Sequence, residues 1–212
     1  MEPSVSKMAK YQCGSLNIRM MKKSSVRERV LRLAKQKFLK HGFYKISMDS
    51  LVQELRTSKS SLYNHFSSKE DLVKAVIDDV NIEINSKLNE VLEDDTLSFK
   101  GKLVSISEFT KDLLSNISDE FLRDLEINTP AIWEYYQKSR AERINKYYRR
   151  LFEIGVKEGK VRSDISIDLI LAVYLYLTQL PLKSSHLDFL KLDHQNIYKD
   201  TTDVFLNGIL SS

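Results

Sequence analysis

The side chains best suited to chemistry are concentrated in residues 58–65, which read Ser-Lys-Ser-Ser-Leu-Tyr-Asn-His. We expect residues 59–65 to form a short helix that buries Leu62, together with Phe66 just after it. Its hydroxyl, ammonium, amide and imidazole groups would then point outward. A short helix with small, basic and hydrogen-bonding side chains on its outer side has the shape and chemistry that fit a DNA major groove. DNA binding is therefore the leading hypothesis.

Helix-capping residues indicate how this segment is positioned. Short polar side chains at a helix N-terminus accept hydrogen bonds from N–H groups that otherwise lack partners. They predict helices that begin after Ser25 (a capping box with Glu28), Ser47, Ser58 and Ser67 (a capping box with Glu70). The first helix is expected to end at Gly42, which can adopt the left-handed conformation. These starts predict three short helices followed by one long connecting helix.

The whole chain is predicted to be all-α. Only six Gly and three Pro occur in 212 residues, too few for the turns of a many-stranded β fold. Helical periodicity resumes near residue 99. Thr129 as N-cap and Pro130 at the first position then open a long helix that ends at Gly159. Two further helices are predicted over 165–182 and 187–210.

The charge is distributed unequally along the chain. Residues 1–66 carry 14 Lys and Arg against 4 Asp and Glu, whereas residues 67–212 carry 19 against 25. A basic end joined to a mildly acidic remainder suggests that only the first part meets a polyanion. A single cysteine, Cys13, rules out an intramolecular disulfide, so we expect a cytoplasmic protein. No apolar run is long enough for a membrane span, so no membrane partner is expected.

Residues 26–76 resemble the DNA-binding domain of the tetracycline-repressor (TetR) family of bacterial transcriptional regulators. The resemblance covers about fifty residues, and order, spacing and residue types agree. It is carried by Phe38 to Tyr44 with Gly42, then by Ser47-Met48, Ser58-Lys59, Leu62-Tyr63, His65-Phe66 and Ser68-Lys69-Glu70 with Leu72. It implies a helix-turn-helix domain over 23–70 and an effector-binding and dimerisation domain over 71–212. Residues 1–22 show no sustained periodicity, so we expect them to be a flexible basic extension.

Each side chain of the motif has an expected role in DNA binding. The predicted phosphate contacts are Ser47, Lys59 and Lys69, with Tyr63 and His65 as further hydrogen-bond partners of the DNA backbone. Ser60, Ser61 and Asn64 are expected to reach base edges. Ser58 is included as the N-cap of the recognition helix. His65 has a second interpretation, as a capping or packing residue.

The predicted turn departs from the family pattern at two positions. Arg56 stands where the family usually has glycine, and Thr57 where it has a small apolar residue. Arginine in a left-handed turn would cost roughly 1 kcal/mol, so a reshaped turn is one alternative. Arg56 could offset this cost by contacting a phosphate. Ser60 also stands where glycine is frequent, so no operator sequence can be inferred.

The C-terminal part is expected to bind a small effector and to form a homodimer, as the family resemblance implies. Residues 169–182 contain no charged side chain, and a helix that is apolar on nearly all faces must be covered by its own domain and by a partner. The effector pocket is predicted to have an apolar wall with a few polar groups. Its candidate residues are Phe109, Leu113, Phe121, Trp133, Tyr136, Tyr174 and Gln179. Each of them could equally be an ordinary core residue.

Three functional hypotheses follow. The first is a homodimeric repressor that binds a roughly palindromic operator and is released by a small hydrophobic or aromatic effector. The second is a ligand-independent architectural or cell-cycle factor of the same fold. The third is a helical enzyme or carrier, which the sequence does not favour: the four histidines lack metal-ligand spacing and no glycine-rich phosphate loop occurs. No cofactor and no metal are expected.

Overall fold

The computed structural model describes residues 25–177 and 197–210, and the regular elements within these ranges are helices. They are α1 (Val26–His41), α2 (Met48–Leu55), α3 (Lys59–Tyr63), α4 (Lys69–Glu93), α5 (Phe99–Ser115), α6 (Asp119–Arg123), α7 (Pro130–Arg143), α8 (Arg149–Lys157), α9 (Ile167–Leu177) and α10 (Ile197–Ile209). Two π-helical segments follow α6 and α7, at Asp124–Asn128 and Ile144–Tyr148. The predicted all-α class is confirmed.

The capping residues predicted for the first three helices are confirmed. The N–H of Glu28 donates to Ser25 Oγ at 3.2 Å, and the Glu28 carboxylate accepts from the Ser25 N–H at 3.1 Å. Ser47 and Ser58 likewise accept from backbone N–H groups at the starts of α2 and α3. The short helices therefore begin where the sequence alone placed them.

Two predicted helix boundaries are wrong. The third helix ends at Tyr63 and not at residue 65, because the chain must turn after it to bury Phe66, which is only 1% exposed. The fourth helix is capped by Ser68 and not by Ser67 with Glu70. Ser68 Oγ accepts from the Asp71 N–H at 3.0 Å, and the Asp71 carboxylate accepts from the Ser67 N–H at 2.9 Å.

The long helix predicted from Pro130 to Gly159 is interrupted. It consists of α7, the π-helical segment Ile144–Tyr148 and α8, and it ends before Gly159, which has a positive φ of 66°. Pro130 occupies the first turn as predicted, but the Thr129 side chain does not cap the helix. Its hydroxyl donates instead to the Leu125 carbonyl, 3.2 Å away.

The helices pack around two apolar clusters. The first combines the buried faces of α1 to α4 with Phe121, Leu125 and Ile132 from the later part of the chain. The second combines the end of α4 with α5, α8, α9 and α10. The three N-terminal helices therefore rest on α4 and on the segment around α6. The predicted domain boundary at residue 70 stays a prediction.

Several predictions concern residues outside the described ranges. These are the extension over 1–22 with Cys13, the pocket residue Gln179, and the parts of helices 165–182 and 187–210 that lie between 178 and 196. The rest of those two helices corresponds to α9 and α10. Within the described residues, no helix combines the length and the apolar character needed to cross a membrane.

Candidate DNA-binding surface and internal cavity

The turn between α2 and α3 keeps a left-handed residue at Arg56, so the reshaped turn considered from the sequence does not occur. Arg56 has φ 50° and ψ 46°, and it is the one non-glycine residue with positive φ among the described residues. Its N–H donates to the Gln53 carbonyl, and the Thr57 N–H donates to the Val52 carbonyl, each at 3.1 Å. The turn therefore keeps the end of α2 hydrogen-bonded in spite of the arginine.

The recognition face, which we define as Ser60, Ser61, Tyr63, Asn64 and His65, lies on the outside of α3 and the residue pair that follows it. Its members are exposed, except that Ser61 is half-buried. On the opposite side, Leu62 and Phe66 are buried in the core, as predicted. The apolar residues therefore hold the helix in place, while the polar ones remain available to a partner.

Each of the two capping serines uses its hydroxyl oxygen as a hydrogen-bond acceptor for a backbone N–H group. Ser47 Oγ accepts from the Ser50 N–H at 3.1 Å, and Ser58 Oγ accepts from the Ser61 N–H at 3.0 Å. A hydroxyl group has one hydrogen and two lone pairs, so each can still donate to a phosphate oxygen. Capping and the predicted phosphate contacts are therefore compatible.

Lys59 has a partner that sequence reasoning missed. Its Nζ lies 2.6 Å from an oxygen of Asp49, at the beginning of α2, and both side chains are exposed. The hydrogen bond to Asp49, together with the charge of that carboxylate, raises the pKa of Lys59. A phosphate that contacts Lys59 must therefore compete with an acidic group on the same surface.

Lys69 joins the start of α4 to the loop between α1 and α2. Its Nζ donates to the Tyr44 carbonyl at 2.7 Å and lies 6.0 Å from the ring centroids of Phe43 and Tyr44. Burial lowers the pKa of Lys69, whereas the nearby charges of Asp124 and Glu70 oppose that shift. If Lys69 contacts a phosphate as predicted, it does so with a side chain that also holds the loop between α1 and α2 in place.

The segment around α6 is hydrogen-bonded directly to the loop before the helix-turn-helix. One carboxylate oxygen of Asp124 accepts from the N–H groups of Phe43 at 2.7 Å and Tyr44 at 2.8 Å. The Ser118 N–H donates to the Leu39 carbonyl at 2.8 Å. Gly42, with φ 69°, makes this approach possible, because a Cβ there would lie only 2.5 Å from Asp124 Oδ2.

That glycine also corrects a prediction about the end of α1. With ψ 173°, Gly42 does not adopt the left-handed helical conformation expected of a C-cap, although its φ is positive. The extended ψ directs the next two N–H groups toward Asp124.

An internal cavity lies between α4, α5, α6 and α7. It leaves about 130 Å³ of free space for the centres of water-sized molecules, whereas about 10–15 Å³ is enough for one water. Most of its wall is aliphatic or aromatic. The lining residues are Leu39, Ile77, Val80, Asn81, Ile84, Thr110, Leu113, Leu114, Ile117, Phe121, Leu122, Tyr136, Arg140, Arg143, Ile144, Tyr148 and Tyr174.

The structure brings four of the seven predicted pocket residues together at this cavity, namely Leu113, Phe121, Tyr136 and Tyr174. Phe109 instead borders a separate, open groove beside α4. Trp133 stacks on Tyr136, with ring centroids 5.6 Å apart, and does not line the cavity.

The polar groups of the wall were missed from the sequence. Arg140 and Arg143 both line the cavity, and Arg143 donates to Asn81 Oδ1 at 2.6 Å. A signal for Arg140 existed, since it lies four residues after Tyr136 and four before Ile144 and so interrupts an apolar stripe of helical spacing. No feature of the sequence indicated that Asn81 would line the cavity.

Part of this chain is similar to a known family of proteins. Residues 30–76 match the family model described as bacterial regulatory proteins, tetR family. This part of the chain is therefore similar to the DNA-binding region of the tetR family. The match spans α1 to α3 and the first part of α4, and it therefore includes the recognition face and the turn at Arg56.

Two transcriptional regulators of known identity match different shares of the chain. The HTH-type transcriptional regulator UidR of Escherichia coli K12 is 39% identical over 51 residues, which are 24% of this chain and 26% of UidR. The HTH-type transcriptional regulator QacR of Staphylococcus aureus is 24% identical over 154 residues, which are 70% of this chain and 78% of QacR. The chain thus spans about a quarter of the length of UidR.

The similarity in fold extends further than the similarity in sequence. The crystal structure of regulatory protein TetR from Rhodobacter sphaeroides superimposes with a TM-score of 0.67 at 15% identity, covering 88% of this chain and all of that one. At 15% identity that structure shows the fold alone, and the two relatives above are named as transcriptional regulators.

Proposed function

We propose that the protein is a transcriptional repressor that binds a roughly palindromic operator as a homodimer and is released by a small hydrophobic or aromatic effector. The observation that carries the proposal is the recognition face, where exposed polar side chains lie opposite the buried Leu62 and Phe66. In this assignment Ser60, Ser61 and Asn64 contact base edges. The surrounding residues Ser47, Arg56, Ser58, Lys59, Tyr63, His65 and Lys69 contact or organise the DNA backbone.

The homodimer is supported by an uncovered apolar face on α9 and α10. On α9, Leu169, Val173 and Tyr176 recur at helical spacing and are 56%, 40% and 72% exposed. Val204 on the neighbouring α10 is 72% exposed. Apolar surface of this kind is usually covered by a partner. A two-fold axis at this face would place two recognition helices in successive major grooves, about 34–36 Å apart.

The release step is supported by the position of the cavity. Leu39 at the end of α1 and Phe121 in α6 both line it. The same two helices are joined by the hydrogen bond from Ser118 to Leu39 and are adjacent to the bonds from Asp124 to the α1–α2 loop. A ligand that moves α6 would therefore also move the helix-turn-helix. The coupling is reciprocal, so bound operator should weaken effector binding.

Fluorescence anisotropy with DNA from upstream of the gene tests the proposal, and a salt titration is part of the measurement. Binding that weakens steeply with salt is expected, because Lys and Arg displace counterions from phosphates. Lys59→Ala should weaken binding to all sequences, whereas Asn64→Ala should mainly reduce preference at one base position. The control is Lys160→Ala, an exposed lysine far along the chain.

The result that would reject DNA binding is failure to bind any duplex at low salt. Equal loss on every sequence from Lys59→Ala and Asn64→Ala would reject Asn64 as a base-reading residue. DNA binding that no apolar compound relieves would favour the ligand-independent architectural factor. Because operator DNA is cytoplasmic in bacteria, the proposal also places the protein there.

A further inference from the structure

Among the described residues, the wall of the cavity has positively charged side chains and no negatively charged ones. Its 17 lining residues within the described part of the chain include two arginines and no aspartate or glutamate. The aliphatic and aromatic members account for most of the remainder, and Asn81 and Thr110 are the other polar ones apart from tyrosines. A cavity for an uncharged apolar ligand has no need of guanidinium groups, whose removal from water costs several kcal/mol each even after relaxation.

Arg143 is the more informative of the two arginines. Within the described residues, its side-chain hydrogen bond goes to the neutral amide oxygen Asn81 Oδ1, and no carboxylate lies within 4.0 Å of its guanidinium nitrogens. Burial lowers the pKa of Arg143, Tyr136 and Tyr148 oppose this shift, and the nearby guanidinium of Arg140 adds to it. An arginine keeps its charge in proteins, so this site holds a cation whose nearest described partner is neutral.

The local backbone contributes to this placement. Arg143 is the last residue of α7, and the π-helical segment Ile144–Tyr148 begins directly after it. Arg143, Ile144 and Tyr148 all line the cavity. Short π-helical insertions are frequent at functional sites because they redirect the side chains next to them.

From this geometry we infer that the effector is an anionic amphiphile, whose carboxylate or similar acidic group pairs with Arg143 while its apolar body fills the cavity. The inference rests on the proposed function, since it specifies the chemical class of the effector. The guanidinium fork matches a carboxylate in two parallel hydrogen bonds. Tyr136, Tyr148 and Tyr174 supply flat apolar surface for the remainder of the ligand.

Three probes with the same chain and different head groups test the inference: decanoate, decanol and decylammonium. Their binding to the full-length protein is measured by calorimetry and by the shift in unfolding temperature, at neutral pH and without DNA. Decanoate should bind at least about tenfold more tightly than decanol, as expected for a charge-assisted hydrogen bond. Decylammonium should bind most weakly.

Substitutions of Arg143 test whether this residue causes the preference for decanoate. Arg143→Gln should remove the preference of the protein for decanoate over decanol, and Arg143→Lys should retain part of it. The matched control is Arg150→Gln, which removes an exposed arginine seven residues further along the same helical stretch and should leave the preference intact. If Arg143→Gln does not fold, the order of the affinities of the wild-type protein for the three probes still tests the inference.

Decanol binding as tightly as decanoate, or an unchanged preference in a folded Arg143→Gln variant, would overturn the inference. The absence of binding by decanoate would overturn it as well. These outcomes are separable from failure of the proposed function, because DNA binding is measured in a different experiment. A protein that binds DNA and prefers decanol would remain a regulator with a neutral effector.

Discussion

The carboxylate of Asp124 accepts a hydrogen bond from the backbone N–H of Phe43, 2.7 Å away and 81 residues earlier in the chain. The same oxygen accepts a second bond, from the Tyr44 N–H. These bonds join the π-helical segment after α6 to the loop that leads into the helix-turn-helix. Because the acceptor is ionised, they are among the stronger hydrogen bonds available to a protein.

Replacing Asp124 by Asn should therefore lower the free energy of unfolding by about 1–3 kcal/mol, since a charge-assisted bond becomes a neutral one. Urea denaturation measures the change. Asp112→Asn is the control, because Asp112 is exposed on α5, and its effect should stay within about 0.5 kcal/mol. The same effect from both substitutions would mean that the Asp124 contact contributes little.

Asp49, at the beginning of α2, should reduce DNA affinity if Lys59 contacts phosphate as proposed, because Asp49 pairs with Lys59 and repels phosphates. Asp49→Asn should increase affinity about three- to tenfold. Anisotropy titrations at two salt concentrations measure this effect. Glu54→Gln is the control, since Glu54 pairs with Lys37 on α1. Unchanged affinity in Asp49→Asn would contradict a DNA contact by Lys59.

Arg56→Gly should separate the structural cost of Arg56 from its role in DNA binding. Relief of the left-handed conformation should stabilise the fold by about 0.5–1 kcal/mol, seen as a higher urea midpoint. If Arg56 contacts a phosphate, the same variant should bind DNA more weakly, with a salt dependence reduced by about one counterion. A more stable variant with unchanged DNA affinity would leave Arg56 without a role in binding.

Lys102 should be important for stability, although it lies far from both proposed sites. It is only 4% exposed, and its Nζ donates to the carbonyls of Val91 and Leu92 in the last turn of α4, at 2.9 and 3.2 Å. Lys102→Met leaves these carbonyls without the donor, and we expect a loss of about 2–4 kcal/mol in the free energy of unfolding. Lys100→Met, at an exposed position nearby, should have little effect, and equal losses would contradict the capping role.

Lys35 should make stability depend on pH in the alkaline range. Its Nζ lies 2.8 Å from Asp79 and 2.7 Å from Glu83, so it joins α1 to α4. Burial acts to lower the pKa of Lys35, but the hydrogen bonds to Asp79 and Glu83 together raise it above the ordinary value of 10.5. A raised pKa in the folded state gives stability that is complete below that ordinary value and is lost as the pH rises through the folded-state pKa.

Comparison of wild-type protein with Lys35→Gln by denaturation at a series of pH values measures this contribution. At neutral pH the variant should be less stable by about 0.5–1 kcal/mol, a small figure because the ion pairs are partly exposed to solvent. The difference should close above the folded-state pKa of Lys35. A difference that stays constant into the alkaline range would show that the Lys35 chain packs and that its charge contributes nothing.

The DNA-binding part could be predicted closely because its signals are local. The Ser25 capping box, the caps at Ser47 and Ser58, and the burial of Leu62 and Phe66 depend on residues within a few positions of one another. The errors were local as well: the fourth helix starts at the next serine, because Asp71 and not Glu70 reaches back. Such competition between neighbouring caps is decided by less than a few kcal/mol.

The cavity could be predicted only in part. Aromatic residues at helical spacing indicated Phe121 and Tyr136, but the same spacing is typical of plain core, and Phe109 and Trp133 lie elsewhere. Arg143 was not predicted, since an arginine near the end of a helix is ordinarily exposed. Its position depends on the π-helical segment that follows it and on Asn81, which is 62 residues away in the sequence.

The sequence by itself determined the all-α class, the starts of the first three helices and the polar face of α3, because capping and periodicity are properties of adjacent residues. Only the tertiary structure decided that, among the described residues, two arginines and no carboxylate line one cavity, and that Asp124 joins the α6 segment to Phe43. Those relationships depend on which distant helices pack together. Packing is set by the shapes of many side chains at once and cannot be read from the spacing of a few.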